Sequence, residues 1–177
     1  HYDADHTCGL PGLLTRVKTE RLYLPFVEDA DGMGRILAEK SNGLVHYVRE
    51  DHVLSFEGGK ITIFGPNSYE ANNEQSLCIL FQCGNCDILI TGDRSEVGER
   101  ILLANYDLPK VDVLVVGHHG SKTSTSEILL EELEPKYAMI SAGENNPYGH
   151  PSQPVLDRLE EYGCIVYRTD QNGVIIY

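Results

Sequence analysis

No stretch of this chain approaches the roughly 18 consecutive apolar residues of a membrane-crossing helix. The longest apolar runs, such as Val111 to Gly117, are strand-sized and carry a charge. Repeats, heptads and low-complexity tracts are missing too, which excludes collagen, coiled coil and disorder. Basic residues are scarce: 14 Lys and Arg stand against 27 Asp and Glu, a formal charge of −13. That balance argues against the broad basic footprint that holds duplex DNA through many phosphate contacts. A small anionic substrate at a metal site stays open, because a bound cation reverses the local field. Cysteines are few and odd in number (Cys8, Cys78, Cys83, Cys86 and Cys164), with no repeated spacing. Cys83-Gly-Asn-Cys86 is half of a zinc knuckle without its other half, and Gly84-Asn85 between apolar runs reads better as a hairpin turn. The redox compartment stays open.

What is present is ordinary for a globular protein: 41% apolar and 23% charged residues over 177 positions. That length fits one domain, 1–177, with a core that needs no disulfide staples. The first residue is histidine, so an upstream segment of the same protein is expected; no leader is there to be read, and export stays open.

In the first half the pattern predicts a short helix over Gly9–Val17, a strand at Arg21–Phe26 and a helix over Gly32–Lys40. Strands follow at Leu44–Val48, Val53–Phe56 and Ile61–Phe64, with a turn at Glu57–Lys60 and a polar loop from Pro66 to Gln75. The second half predicts a hairpin (Leu77–Gln82, Asp87–Thr91) and helices over Ser95–Asn105, Ser124–Leu133 and Pro154–Tyr162. Its further strands are Val111–Val116, Tyr137–Ser141, Ile165–Arg168 and Val174–Tyr177. Strands alternating with helices imply α/β layering with helices packed on a sheet.

Four clusters carry chemistry. His1-Tyr-Asp3-Ala-Asp5-His6 puts four metal-capable side chains into six residues, a mixture suited to zinc, manganese or iron. In an extended segment His1, Asp3 and Asp5 share a face and a turn brings His6 round; the blander reading is a polar tail. Asp93 follows an apolar strand and Gly92, where α/β sites usually lie, or else caps the next helix. Gly117-His118-His119-Gly120-Ser121-Lys122 follows another apolar strand. Two adjacent histidines between glycines do not suit a core, and Ser121 and Lys122 offer a hydroxyl and an ammonium to an anion; the alternative is a surface turn. Tyr148-Gly149-His150-Pro151 holds His150 in a rigid loop after a third strand. Together His1, Asp3, Asp5, His6, Asp93, His119 and His150, with His118 spare, are about the seven ligands that two metals sharing one carboxylate need.

These motifs resemble the metallo-β-lactamase superfamily, whose His-x-His-x-Asp-His signature reads here His1-x-Asp3-x-Asp5-His6. Asp at position 3, Gly9-Leu10, Gly92-Asp93, His118 to Lys122, Tyr148 to Pro151 and the closing Tyr167 to Gly173 resemble the hydrolase domain of ComEC-type competence proteins. The resemblance covers residues 1–14 and 76–177. It implies an α/β fold, the αββα sandwich, lacking its N-terminal strands in this chain, and two divalent ions, zinc or else manganese. It implies one ion held by His1, Asp3, Asp93 and His119, the other by Asp5, His6, Asp93 and His150. The superfamily's isolated third-motif histidine has no counterpart in context: His46 and His52 are out of place, and Asn72, Asn73 and Ser76 stand near the expected position.

The leading expectation is a metal-dependent phosphodiesterase or nuclease of the ComEC-like type, linked to DNA uptake in competence. A metal-bridging hydroxide attacks in line. Asp5 and Asp93 hold the metals, His118, Ser121 or Lys122 neutralises phosphoryl charge, and Tyr148 or His118 serves the leaving oxygen. The partner is a phosphodiester, either a single-stranded nucleic acid served by a basic strip of Lys122, Arg94 and Arg100, or a smaller ester. Resemblance alone favours an extracytoplasmic or secreted location. The alternatives are another hydrolase on the same fold, a lactonase or β-lactamase, and a non-catalytic metal-binding domain of a larger assembly.

Overall fold

The computed structural model describes residues 1–29, 31–66 and 72–175, the side chain of Asn72 excepted. The N-terminal segment does not stay extended. It turns helical at once, as α1 (Ala4–Thr7) with Asp3 at its N-cap, followed by α2 (Leu10–Leu14), whose Pro11 sits in the first turn. Strand β1 (Arg21–Pro25), helix α3 (Met33–Lys40) and strand β2 (Leu44–Val48) follow, and β1 and β2 pair in parallel as a small sheet.

The remaining strands form one seven-stranded sheet in sequence order. They are β3 (His52–Phe56), β4 (Gly59–Phe64), β5 (Cys78–Cys83), β6 (Cys86–Ile90), β7 (Val113–Val115), β8 (Tyr137–Ile140) and β9 (Ile165–Arg168). From β3 to β6 the pairing is antiparallel; from β6 to β9 it is parallel, with crossovers through α4 (Glu96–Asn105), α5 (Glu127–Leu133) and α6 (Gln153–Glu161). A last short helix, α7 (Thr169–Asn172), closes the described chain, where no element was expected. The expected strand over Val174–Tyr177 is not formed at 174–175, and residues 176 and 177 lie outside the described residues. The expected loop from Pro66 to Gln75 ends in a 3₁₀ turn, Asn72–Gln75; its residues 67–71 also lie outside them.

Two starts differ from the sequence pattern for identifiable reasons. β7 spans only Val113–Val115: the Val111 N–H is diverted to the Leu133 carbonyl at the end of α5, while Asp112 bonds both neighbouring strands through its backbone and also accepts the Asp87 N–H on its carboxylate. α5 begins at Glu127 because Thr125 is left-handed (φ 54°) and its hydroxyl is taken by the Gly117 N–H.

The main core lies between the sheet and α4–α6. Leu80, Leu89, Leu114 and Ile140 meet Leu102, Leu130 and Leu159; Leu80, Leu89, Leu114 and Ala138 are register partners across the sheet, and Ile140 lies two residues beyond Ala138 on the same face. The other face carries Ile79, Phe81, Ile88, Ile90, Val115 and Met139, aligned by the strand register and only half-buried. A second cluster of Leu14, Leu24 and Leu37 binds α2 and α3 to the small sheet. Tyr2 packs against it and donates from its hydroxyl to the Pro25 carbonyl at 2.8 Å, which anchors the N-terminal segment. Gly34 makes this possible: a Cβ there would stand 2.6 Å from the Tyr2 ring. Gly34→Ala is expected to destabilise the protein by about 1–3 kcal/mol in urea unfolding through this overpacking. An unchanged midpoint would show that Tyr2 is not an anchor.

Candidate metal centre

The parallel strands all end on one side of the sheet, and their following loops meet there. Gly92 turns the chain after β6 with φ 62°, where a Cβ would stand 2.7 Å from that of Ser76. This delivers Asp93, 4% exposed, with its N–H donating to Ser76 Oγ at 3.1 Å. Arg94 is fully buried, and its guanidinium donates to the Ser76 carbonyl and to the Gly65 carbonyl at 2.8 Å, pinning both strands that lead into the site. Arg94 is therefore no part of a surface strip. Arg100 is paired with Glu96 at 2.7 Å, which leaves Lys122 alone of the expected basic strip.

After β7, a 3₁₀ turn (Gly117–Gly120) carries His118 and His119 in left-handed conformation, φ 49° and 55°. Such strain at non-glycine residues persists only when the surroundings impose it. Here Thr125 Oγ accepts the Gly117 N–H at 3.0 Å, and the buried Glu99 of α4 accepts the N–H groups of Thr125 and Ser126. Burial pushes the Glu99 carboxyl up, against the pull of those donors and of Arg158. Glu99 also takes over the start of α5, whose Ser126 makes no side-chain cap.

Around Asp93 Oδ2 stand four imidazole Nε2 atoms: His6 at 3.0 Å, His1 at 3.6 Å, His118 at 3.7 Å and His119 at 3.9 Å. His1 Nδ1 lies 3.1 Å from Asp3, and His119 Nε2 lies 3.3 Å from Asp5 and 3.2 Å from His6 Nε2. His150 comes in beside His118, ring centroids 5.8 Å apart. Burial pushes the Asp93 carboxyl up, but the hydrogen bond from His6 and the charges of His6, His118 and His119 prevail and hold it below the usual carboxylate range. The same bond to Asp93 raises His6 against the effect of burial, while burial and then His118 and His119 lower His150.

These donors fit a metal. One atom each from Asp5, His6, Asp93 and His119 lies within 4.8 Å of all the others. His119 Nδ1 donates to the Ser141 carbonyl at 2.8 Å, which leaves the Nε2 lone pair facing the cluster. His1 is 4% exposed in its side chain, yet both its ring nitrogens lack a hydrogen-bond partner while facing carboxylates, and His118 and His150 each bury an unpartnered Nδ1. Buried imidazoles are seldom left so unless an ion completes them.

The structure thus brings His1, Asp3, Asp5, His6, Asp93, His118 and His119 together, with His150 adjoining. The tight group of four draws on both ligand sets that the resemblance implied; His118 stands outside it, with its Nε2 3.7 Å from Asp93. Tyr148 stands at the mouth, 78% exposed. Ser121 is buried and bonded to Thr123, Lys122 is exposed, and neither lines the cavities over the cluster. Asn73 and Asp31 do line the cleft, and sequence reasoning gave Asp31 no part. His46 stacks instead on Tyr23, centroids 5.0 Å apart, and His52 lies tilted beside the same ring at 5.1 Å.

Glu99→Gln replaces an acceptor for two N–H groups by an amide whose NH₂ faces one of them. The expected loss is about 1–3 kcal/mol of stability in urea unfolding. The expected loss of zinc affinity in chelator competition is about tenfold or more. Unchanged affinity would show that the His118–His119 turn holds itself.

The profile of the metallo-β-lactamase superfamily matches residues 1–144. ComE operon protein 3 of Bacillus subtilis is 37% identical over 182 residues, covering 100% of this chain and 24% of that protein. Recombination protein 2 of Haemophilus influenzae is 40% identical over 177 residues, covering 99% of this chain and 21% of that protein. The chain therefore spans about a quarter or less of the length of these curated relatives. Among solved structures, the metallo-β-lactamase fold protein YhfI of Bacillus subtilis superposes with a TM-score of 0.57 at 14% identity, covering 95% of this chain and 71% of that one. Zinc-bound PqqB of Methylobacterium extorquens gives 0.54 at 13% identity, covering 95% and 69%. Motif, fold and profile agree: the chain belongs to the metallo-β-lactamase superfamily.

Proposed function

We propose that this chain is a dinuclear metal-dependent phosphodiesterase whose substrate is a nucleic-acid strand. The observation that carries the reading is the convergence of four imidazoles on the buried Asp93 carboxylate, with Asp3 and Asp5 beside them. Two such ions, zinc in the first instance, would supply Lewis-acid polarisation of a phosphoryl oxygen and a water nucleophile active near neutral pH. Asp93 would be a ligand to both ions, with Asp5, His6 and His119 available to hold one and His1 and Asp3 the other. His118 and His150 face the cleft, where the lowered basicity of His150 keeps its lone pair free at neutral pH. His118 and Tyr148 are the side chains of the cleft able to hand a proton to a leaving oxygen. Relatives named for competence and for recombination support nucleic acid as the substrate.

The test pairs elemental mass spectrometry on protein dialysed against a weak chelator with hydrolysis of bis(p-nitrophenyl) phosphate. The expected result is about two equivalents of zinc or manganese, with turnover. In Asp93→Ala both equivalents are expected to fall, because both ions share that carboxylate. Turnover of nitrocefin or a lactone in place of the phosphodiester would overturn the substrate class. Two bound ions with no turnover would leave a metal-binding domain without catalysis.

A further inference from the structure

A cavity of about 240 Å³ opens beside the cluster, lined by Asp5, His119 and His150 together with Tyr148, Ala142 and Gly143. We infer that it is a nucleobase subsite, in which the phenol ring of Tyr148 stacks on the base next to the phosphodiester held at the cluster. The inference rests on the reading of a nucleic-acid substrate given above.

Size is the first argument. The cavity falls below the roughly 300–1,000 Å³ of a drug-sized ligand pocket and suits a single ring system. Its lining shares Asp5 and His119 with the cluster and includes the adjoining His150, so its occupant adjoins the reacting group.

The wall is the second. Tyr148 is 78% exposed and packs into neither core cluster, so most of its ring is open to the cavity. Yet its loop is fixed. The Asn146 side chain donates to the carbonyls of Gly143 and His150 and accepts the His150 N–H at 2.9 Å. The phenol lies within 21° of parallel to the His150 ring, centroids 6.0 Å apart. One bracket thus sets both the ring and the metal-type histidine, so a face for stacking is held ready beside the site at little entropic cost.

Charge is the third. Among the described residues no Lys or Arg lines this cavity or the adjoining cleft, which instead holds Asp3, Asp5, Asp31 and Asp93. Beyond the phosphodiester at the ions, further phosphates meet no basic groove there. Affinity for a strand has to come from the bases, and stacking on an aromatic ring is sequence-tolerant and worth about 1–3 kcal/mol per base. An alkyl or sugar phosphodiester offers no flat π face and would gain less from the ring than a base.

The experiment measures binding of thymidine 5′-monophosphate and of 2-deoxyribose 5-phosphate to the zinc-loaded protein by titration calorimetry. The two carry the same phosphate and sugar and differ in the base. Wild type and Tyr148→Phe are expected to favour the nucleotide by about tenfold or more, and Tyr148→Ala to bind both alike. Equal binding by wild type overturns the inference, as does discrimination that survives Tyr148→Ala. A Tyr148→Phe variant that behaves like Tyr148→Ala assigns the effect to the hydroxyl and overturns it too. Bis(p-nitrophenyl) phosphate turnover, read in parallel on wild type, reports on the phosphodiesterase reading separately: turnover without base discrimination defeats only the subsite, and discrimination without turnover defeats only the enzyme.

Discussion

The structure depends on one buried carboxylate. Asp93 lies at the end of the central strand pair, 4% exposed, with four imidazoles within 3.9 Å. Removing a carboxylate from water is costly unless charges or donors compensate. The histidines provide that compensation in part, which is why the carboxyl stays below its ordinary range despite burial. Much of the surrounding architecture keeps the carboxylate in place. Ser76 receives the Asp93 N–H, and Arg94 ties the Ser76 and Gly65 carbonyls together from inside. A guanidinium buried completely next to the site is a structural clamp, and it keeps a positive charge close to a carboxylate-rich cleft.

The parallel half of the sheet explains how residues far apart in sequence meet. Strands β6, β7 and β8 run the same way, so the loops carrying Asp93, His118–His119 and His150 open on the same side. The layout alone does not aim the side chains. The His118–His119 turn is left-handed and held by a relay from Glu99 through Thr125 to Gly117. The His150 loop is held by Asn146. The N-terminal ligands arrive from the other direction, on a helical turn anchored by Tyr2 against α3. Three independent supports converge, the arrangement that pre-organised sites require.

Much of this was legible in the sequence. Apolar runs that end in Gly-Asp or Gly-His-His mark buried strands delivering polar chemistry, and the inventory of metal-type side chains could be counted before any coordinates. What was not legible is instructive. Helical conformation at Ala4 cannot be read from a mostly polar six-residue segment with no apolar period. The grouping of His119 with Asp5 and His6 depends on side-chain reach across the site, which spacing does not encode. Arg94 looked like a surface cation because nothing local distinguishes a clamp from a solvated arginine; only the two carbonyls it finds make the difference. Glu99 likewise looked like any first-turn acid of a helix. Its partners lie 26 and 27 residues on.

The acidic composition then takes on a specific meaning. The cleft gathers Asp3, Asp5, Asp31 and Asp93 with no Lys or Arg among the described residues of its lining, so these side chains alone repel the anions the chain is proposed to cut. Cations bound among these carboxylates reverse the field at one point only. A site of that kind attracts a phosphate at the point of reaction and offers nothing to a long polyanion elsewhere. Duplex DNA, which is held by many phosphate contacts, is poorly matched to it. A flexible strand that placed a single phosphate at such ions and a base on the exposed ring of Tyr148, as proposed, would be matched at both points. Selectivity between them then follows from where positive charge is absent as much as from where it is supplied.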